Sequence, residues 1–79
     1  MERNFSITAK GSPGIEVLSR ITSLFMKNQV IINKLDYVSS QKHDANYVVE
    51  VSSDEKRMER IVNQINNIVE IYKVTLNCK

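Results

Sequence analysis

The sequence predicts a small α+β domain whose elements follow the order β-α-β-β-α-β. Two stretches repeat their apolar residues at helical spacing, and the stretches around them alternate apolar and polar residues as strands do. Both glycines and the single proline lie in one short turn between the first strand and the first helix. Right-handed crossovers then place both helices on one face of a four-stranded antiparallel sheet. A chain of 79 residues suffices for one such domain, which we expect to span residues 1–79.

The first strand and the turn after it give the clearest local signals. Residues 4–9 alternate, with Phe5, Ile7 and Ala9 on one face and polar side chains on the other, which predicts a half-buried strand. The turn at residues 10–14 reads Lys-Gly-Ser-Pro-Gly. Glycine and proline concentrate where a backbone turns sharply or approaches another group closely, so this turn is the first candidate for a binding site.

The first helix is predicted over residues 15–28, with one apolar stripe facing the sheet. Ser12 is the expected N-cap, with Pro13 at the first helical position. Asn28 is expected to end the helix in a left-handed conformation. The apolar stripe consists of Val17, Leu18, Ile21, Leu24 and Phe25.

The second and third strands are predicted at residues 30–38 and 46–52, as a hairpin joined by the polar loop 39–45. The second strand has an imperfect pattern, because a continuous apolar run at 30–32 is followed by charged and amide residues. A β-bulge or an edge position accounts for such a pattern. The third strand alternates cleanly, with inward residues at Tyr47, Val49 and Val51.

The second helix is predicted to begin at Ser53 or Asp54, and Asp54 is a good N-cap by itself. A final strand follows at residues 69–76, and its apolar phase changes near Ile71 and Tyr72, which indicates another bulge. The apolar stripe of the helix consists of Met58, Ile61, Val62, Ile65 and Ile68.

The composition argues against several classes of function. The net charge is only +2 and the cations are dispersed, so no nucleic-acid patch is predicted. Val48 and Glu50 on the open sheet face also disfavour RNA binding, which needs aromatic residues there. The single cysteine, Cys78, cannot form an internal disulfide, and the single histidine, His43, lies in a distant loop, so neither catalysis nor metal binding is expected. With no signal peptide and no apolar run near the ~20 residues that span a bilayer, we expect a cytoplasmic protein.

Two interpretations of the turn at residues 11–14 stay open. In the first, unpaired N–H groups and the positive end of the helix dipole hold a carboxylate or a phosphate. In the second, the turn is only a tight connection. Tyr37 and Tyr72 are predicted as packing residues, and Arg20 as an exposed residue that a protein partner could contact.

The turn and the first helix carry three motifs, Ser12-Pro13-Gly14, Leu18-Ser19-Arg20-Ile21 and Leu24-Phe25. They resemble the first half of ACT domains, which are small βαββαβ modules of the ferredoxin-like fold that sense amino acids. Residues 53–56 (Ser-Asp-Glu-Lys) and 67–74 (Asn-Ile-Val-Glu-Ile-Tyr-Lys-Val) are similar to the regulatory (small) subunit of acetohydroxyacid synthase, also called acetolactate synthase. The resemblance covers nearly the whole chain.

The resemblance implies a protein without catalytic chemistry or a cofactor of its own. Such subunits bind and activate a catalytic subunit that carries thiamine diphosphate, in branched-chain amino acid biosynthesis. Many of them transmit feedback inhibition by valine or a related amino acid. ACT domains pair side by side through the second strand, so a homodimer with its ligand at the junction is implied. The alternative is a free-standing amino-acid-binding dimer that regulates another target.

The resemblance also implies ligand-binding positions, with two departures from the family pattern. Ile15 and Glu16 add two residues between the turn and the Leu-Ser-Arg motif. Ile31 stands where members carry an asparagine that reaches the ligand, and Asn33 replaces it only if the register shifts. The chain resembles the short, single-domain type, for which a weak or absent feedback response is expected. The candidate ligand-binding residues are Gly11, Ser12, Pro13, Gly14, Ile15, Ile31 and Asn33.

Overall fold

The computed structural model describes residues 2–39 and 44–78, and these form four strands and two helices in the predicted order. The bounds shift by a few residues from those predicted. His43 and most of the predicted hairpin loop lie outside the described residues. The elements are β1 (Arg3–Gly11), α1 (Ile15–Lys27), β2 (Ile32–Ser39), β3 (Ala45–Ser53), α2 (Glu55–Asn66) and β4 (Ile71–Cys78).

The strands form one antiparallel sheet, as predicted, and their order in it is β2-β3-β1-β4. β1 and β3 are therefore central, and β2 and β4 are the edges. Gly11 pairs with Ala45 on one side and with Ile71 on the other, and we call this end of the sheet the turn end. β2 starts at the opposite end, where Ile32 pairs with Val51.

The core lies between the sheet and the two helices, and the alternation predicted for the central strands is confirmed. Burial of a large apolar side chain stabilises a fold by about 1.5–3 kcal/mol relative to its exposure. The other side of the sheet, which we call the open face, carries mainly polar side chains. The buried apolar residues of β1, β3 and the helices are Phe5, Ile7, Ala9, Ala45, Tyr47, Val49, Val51, Val17, Ile21, Phe25, Met58, Ile61 and Ile65.

The predicted N-cap of α1 is wrong, although the helix starts at the predicted residue. The helix begins at Ile15, Gly14 is the N-cap, and no side chain in the described part of the chain caps this end. Ser12 is not the cap because its backbone is held by another segment: its N–H donates to the carbonyl of Glu70 at 2.9 Å. Pro13 therefore lies in the connection and not in the helix. A tertiary contact has overridden the local capping preference of serine.

The end of α1 also differs from the prediction. Asn28 has a φ of −90°, and the following residue, Gln29, takes the left-handed conformation with a φ of 61°. Asn28 instead ends the helix through its side chain. Its Nδ2 donates to the carbonyl of Leu24 at 2.7 Å and to Oε1 of Gln64 at 3.0 Å. This amide thereby ties the end of α1 to α2.

Both edge strands contain a bulge, as their irregular patterns indicate. Asn33 is the extra residue in β2, and Tyr72 is the extra residue in β4. Both strands start two residues later than predicted. The N–H of Val30 donates back to the carbonyl of Phe25 at 2.9 Å, so this residue still belongs to the end of the helix. Val69, predicted as an apolar strand position, is 94% exposed because the chain is still turning out of α2 there.

Candidate functional site

The turn between β1 and α1 packs directly against the turn between α2 and β4. A Cβ atom on Gly11 would lie 2.2 Å from the carbonyl oxygen of Glu70 and 2.9 Å from the Cα of Ile71. Glycine is therefore required by the close approach of two backbones. The N–H of Ser12 donates to the same Glu70 carbonyl at 2.9 Å. The two turns thus form one hydrogen-bonded unit at the turn end of the sheet.

Two tyrosine hydroxyls hold this unit from the side of the sheet. The hydroxyl of Tyr47 donates to the carbonyl of Ser12 at 2.7 Å. The N–H of Gly14 donates to the hydroxyl of Tyr37 at 3.2 Å. The two tyrosines are cross-strand partners on β2 and β3, and their ring centroids lie 5.1 Å apart. Both phenols therefore place an apolar ring on the sheet and a polar end on the turn.

The two tyrosines differ in burial and therefore in how freely their side chains can rotate. Tyr47 is completely buried, whereas Tyr37 on the edge strand is 36% exposed. Burial raises the pKa of the Tyr47 phenol, and the nearby Tyr37 and Glu70 add to the rise, although a hydrogen bond with the backbone of Gly14 opposes it. The Tyr47 hydroxyl consequently keeps its proton throughout the neutral range and remains a donor.

The start of α1 offers hydrogen-bond donors to a ligand. The first N–H groups of a helix have no intrahelical acceptor, and no side chain of the described residues caps them here. Such groups can hold a carboxylate. Ile15 and Glu16, the two additional residues, form the first turn of α1 and do not lengthen the loop. The carboxylate of Glu16 competes with a bound anion for the positive end of the helix dipole.

Ile31 and Asn33 lie at the other end of the sheet from the turn. β2 separates the two ends by about 24 Å, at the usual rise per residue of a strand. Ile31 is 77% exposed just before β2. Asn33 donates to Oγ of Ser52 at 3.0 Å, and Ser52 donates to Oδ1 of Asn4 at 2.7 Å on the open face. Within one chain, the candidate residues 11–15 come together, and Ile31 and Asn33 stay apart from them.

Tyr37, Tyr47 and Glu70 contact the turn and are absent from the predicted site. For Tyr47 a signal exists in the sequence, because an inward-facing tyrosine on a central strand needs a polar partner and the turn provides one. The position of Tyr37 depends on the bulge at Asn33, which fixes the register of β2 against β3. No local pattern indicates that Glu70 contacts the turn, because this contact joins two segments that are distant in the sequence.

The predicted exposure of Arg20 is confirmed, and the predicted packing role of Tyr72 is wrong. Arg20 is exposed but already has a partner in the same chain, since its Nη1 lies 3.2 Å from Oε1 of Glu70. An exposed ion pair of this kind contributes at most about 1 kcal/mol. Tyr72 is 60% exposed and so is not a packing residue. Its hydroxyl donates to the carboxylate of Asp44, and this hydrogen bond raises the pKa of the phenol.

Other parts of the described chain offer less chemistry. An open cavity of about 610 Å³ surrounds the start of α2, where Arg3 pairs with Glu55 at 3.0 Å and Arg57 pairs with Asp54 at 3.6 Å. These pairs involve two of the four cations that line the cavity, and Lys56 and Arg60 are the other two. Among residues 2–39 and 44–78, no group of three or more His, Cys, Asp or Glu side chains could hold a metal ion. Neither helix of the described chain has the length and apolar character needed to cross a bilayer.

No protein-family model and no curated protein matches the sequence. Solved structures do match. The C-terminal domain of the MgtC protein from Mycobacterium tuberculosis superposes with a TM-score of 0.83 at 11% identity, over 98% of this chain and 87% of that one. The ACT domain of GTP pyrophosphokinase from Chlorobium tepidum gives 0.82 at 9% identity, over 98% and 100% of the two chains. The acetolactate synthase small subunit from Thermotoga maritima gives 0.79 at 24% identity, over 94% of this chain and 47% of that one.

These similarities confirm the predicted fold. The chain has four antiparallel strands with two helices, in the ferredoxin-like arrangement of ACT domains. It spans about half the length of the acetolactate synthase small subunit that it resembles.

Proposed function

We propose that this chain is a regulatory ACT module that forms a homodimer through β2 and activates the catalytic subunit of an acetohydroxyacid synthase. It acts without catalytic chemistry or a cofactor of its own, and thiamine diphosphate belongs to the catalytic partner. The exposed thiol of Cys78 suits the cytoplasm, where thiols stay reduced. One observation carries the proposal: most of the large apolar side chains that the fold leaves exposed lie on α1, on the edge strand β2 or in the segment between them.

Most of the exposed large apolar side chains lie in one continuous part of the chain, from α1 to β2. Six of the nine in the described part of the chain lie on α1, on β2 or in the segment between them. β2 also presents the unpaired backbone groups of an edge strand. Exposed apolar surface beside an open edge marks a site for pairing with another chain. We call these six residues the β2 flank: Ile15, Met26, Ile31, Leu35, Tyr37 and Val38.

Antiparallel pairing of two β2 strands also assembles the two halves of the candidate ligand site. In such a pair, the start of one strand lies beside the end of the other. Ile31 and Asn33 of one protomer then approach residues 11–15 of its partner, which they do not reach within their own chain. A site that is incomplete in the monomer therefore becomes complete in the dimer.

A branched-chain amino acid is the proposed ligand at this junction, with its carboxylate on the N–H groups at the start of α1. Ile31 can contact the apolar side chain of the ligand but offers no hydrogen bond to its ammonium group. The absence of one hydrogen bond to a charged group costs about 1.5–3 kcal/mol, or roughly ten- to a hundredfold in affinity. We therefore rank activation of the catalytic subunit above feedback sensing.

Support for this catalytic partner comes from the sequence. Residues 53–56 and 67–74 resemble regulatory subunits of acetohydroxyacid synthase. The small-subunit structure from Thermotoga maritima is also more similar in sequence than the other two structures described above.

Two matched substitutions test the interface. Leu35 on β2 is 38% exposed and Leu76 on β4 is 37% exposed, and each lies on the helix-facing side of an edge strand. We expect Leu35→Lys to be monomeric in sedimentation velocity at tens of micromolar, because it places a charge in the interface. Leu76→Lys should remain dimeric. A monomeric wild-type chain, or two variants that behave alike, would contradict pairing through β2.

Activation is tested by adding the purified chain to an acetohydroxyacid synthase catalytic subunit loaded with thiamine diphosphate. We expect the rate of acetolactate formation to rise, and unchanged activity would exclude this partner. Calorimetry with valine, leucine and isoleucine then decides the alternative. Tight binding without activation would favour a free-standing amino-acid-binding dimer that regulates another target.

A further inference from the structure

The β2 flank and the turn between β1 and α1 share one residue, Tyr37. Its ring lies at the exposed edge, and its hydroxyl accepts the hydrogen bond from the N–H of Gly14. The neighbouring contact, from Tyr47 to Ser12, comes from a side chain that is completely buried. The turn is therefore held by one contact from the core and by one contact from the sheet edge.

We propose that Tyr37 couples strand pairing at β2 to the conformation of the turn. A second copy of the chain, seated on β2, holds the Tyr37 side chain against Gly14. In return, the contact with Gly14 fixes the side chain on which the second copy packs. This inference rests on the proposed function, because it requires pairing at β2, and it adds the route by which the interface and the candidate ligand turn influence each other.

The geometry of the edge explains the coupling. The ring of Tyr37 packs on one side against Tyr47, with 5.1 Å between the ring centroids, and 36% of the residue is exposed at the open edge. A strand paired with β2 places a side chain opposite Tyr37 on the same face, with the two Cβ atoms about 4.5–5.5 Å apart. That side chain fills the space into which the ring otherwise rotates. Rotamers of Tyr37 that break the contact with Gly14 are thereby excluded in the dimer.

The coupling is reciprocal. A pairing event that favours the contact between Tyr37 and Gly14 must itself be favoured by that contact, by the same factor. A neutral hydrogen bond shifts an equilibrium by a factor of about 2 to 13. Removal of the Tyr37 hydroxyl should therefore weaken pairing by about tenfold at most and should cut the link between the interface and the turn.

Hydrogen exchange of the Gly14 amide tests the proposal. Exchange is measured by NMR on the full chain over a range of protein concentrations, and sedimentation of the same samples gives the dimer fraction. We expect exchange at Gly14 to slow by about three- to tenfold as the dimer forms. In Tyr37→Phe this dependence on concentration should vanish. Tyr72→Phe is the matched control, because it removes a tyrosine hydroxyl on the other edge strand that contacts Asp44 and not the turn, and it should leave the dependence at Gly14 intact.

The outcomes separate the two proposals. Equal exchange at Gly14 in the monomer and the dimer, or a Tyr37→Phe variant that keeps the dependence, would overturn the coupling and leave the dimer standing. A wild-type chain that stays monomeric would overturn the pairing and the coupling with it. Should Tyr37→Phe fail to fold, Tyr37→Leu, which also lacks the hydroxyl, is expected to lose the dependence in the same way.

Discussion

Replacement of Gly11 by alanine is expected to destabilise the protein by about 2 kcal/mol, as follows from steric, hydrogen-bond and entropy terms together. The added Cβ would lie 2.2 Å from the carbonyl oxygen of Glu70 and 2.9 Å from the Cα of Ile71, so the two backbones must move apart. Forcing a methyl group into a packed site costs about 1–3 kcal/mol. Displacing the Glu70 carbonyl also weakens the hydrogen bond that it accepts from the N–H of Ser12, and such a hydrogen bond contributes about 0.5–1.5 kcal/mol. The lower entropy of the unfolded chain offsets about 0.4–1 kcal/mol.

Denaturant unfolding followed by circular dichroism measures this free energy, and a loss of about 2 kcal/mol should lower the Tm by roughly 8–16 °C. Gly14→Ala is the matched control in the same turn. The nearest atom to its added Cβ is Cγ2 of Val17 at 4.0 Å, and its φ of 160° is extended backbone that alanine also adopts. Its stability should therefore stay within about 0.5 kcal/mol of the wild type. Equal stability of the two variants would refute the argument from close approach.

Substitutions at three further positions probe other features of the fold. Asp54 accepts the N–H of Arg57 at 2.8 Å, so Asp54→Ala should cost about 1 kcal/mol in denaturant unfolding, whereas Asp54→Asn should keep most of the stability. Ser53 has a buried hydroxyl without a hydrogen-bond partner among the described residues, so Ser53→Ala should leave the free energy of unfolding unchanged or raise it by about 1 kcal/mol; a clear loss would contradict this reading. Folding raises the pKa of the Tyr47 phenol above its ordinary value of 10.0. Protonation of this phenol therefore stabilises the folded state. The stabilisation is complete below about pH 10 and is lost as the pH rises through the pKa of the folded state. Unfolding measured between about pH 8 and pH 11 should show this alkaline loss in the wild type and a smaller one in Tyr47→Phe.

The parts of the fold that periodicity could predict are those with one face in the core. β1, β3 and both helices each bury one set of side chains, so their apolar residues recur at the period of the element. β2 is different, because it is an edge strand with mostly exposed side chains and its pattern carries little information. Its irregularity still indicated a bulge, although the start of the strand was wrong by two residues.

The candidate site depended more on contacts between distant segments. Ser12 has the chemistry of an N-cap, but its backbone is held by Glu70, and no local propensity reports such a contact. The contact of Tyr37 with Gly14 requires the register between β2 and β3, which the bulge at Asn33 sets. Glycine and proline therefore indicated where the turn lies, whereas the residues that hold the turn could be identified only in the folded structure.

The bulges of the two edge strands limit how far this sheet can extend. Asn33 interrupts β2 near its start, so an added strand finds a regular edge only along residues 34–39. Two copies related by a two-fold axis use that same edge in both protomers, which leaves β4 as the remaining edge of the described sheet. The start of β4 is itself distorted by Tyr72. Growth into a continuous fibre would need both edges, and each bulge shortens the regular edge that an added strand could use, which counters edge-to-edge aggregation of a thin-cored protein.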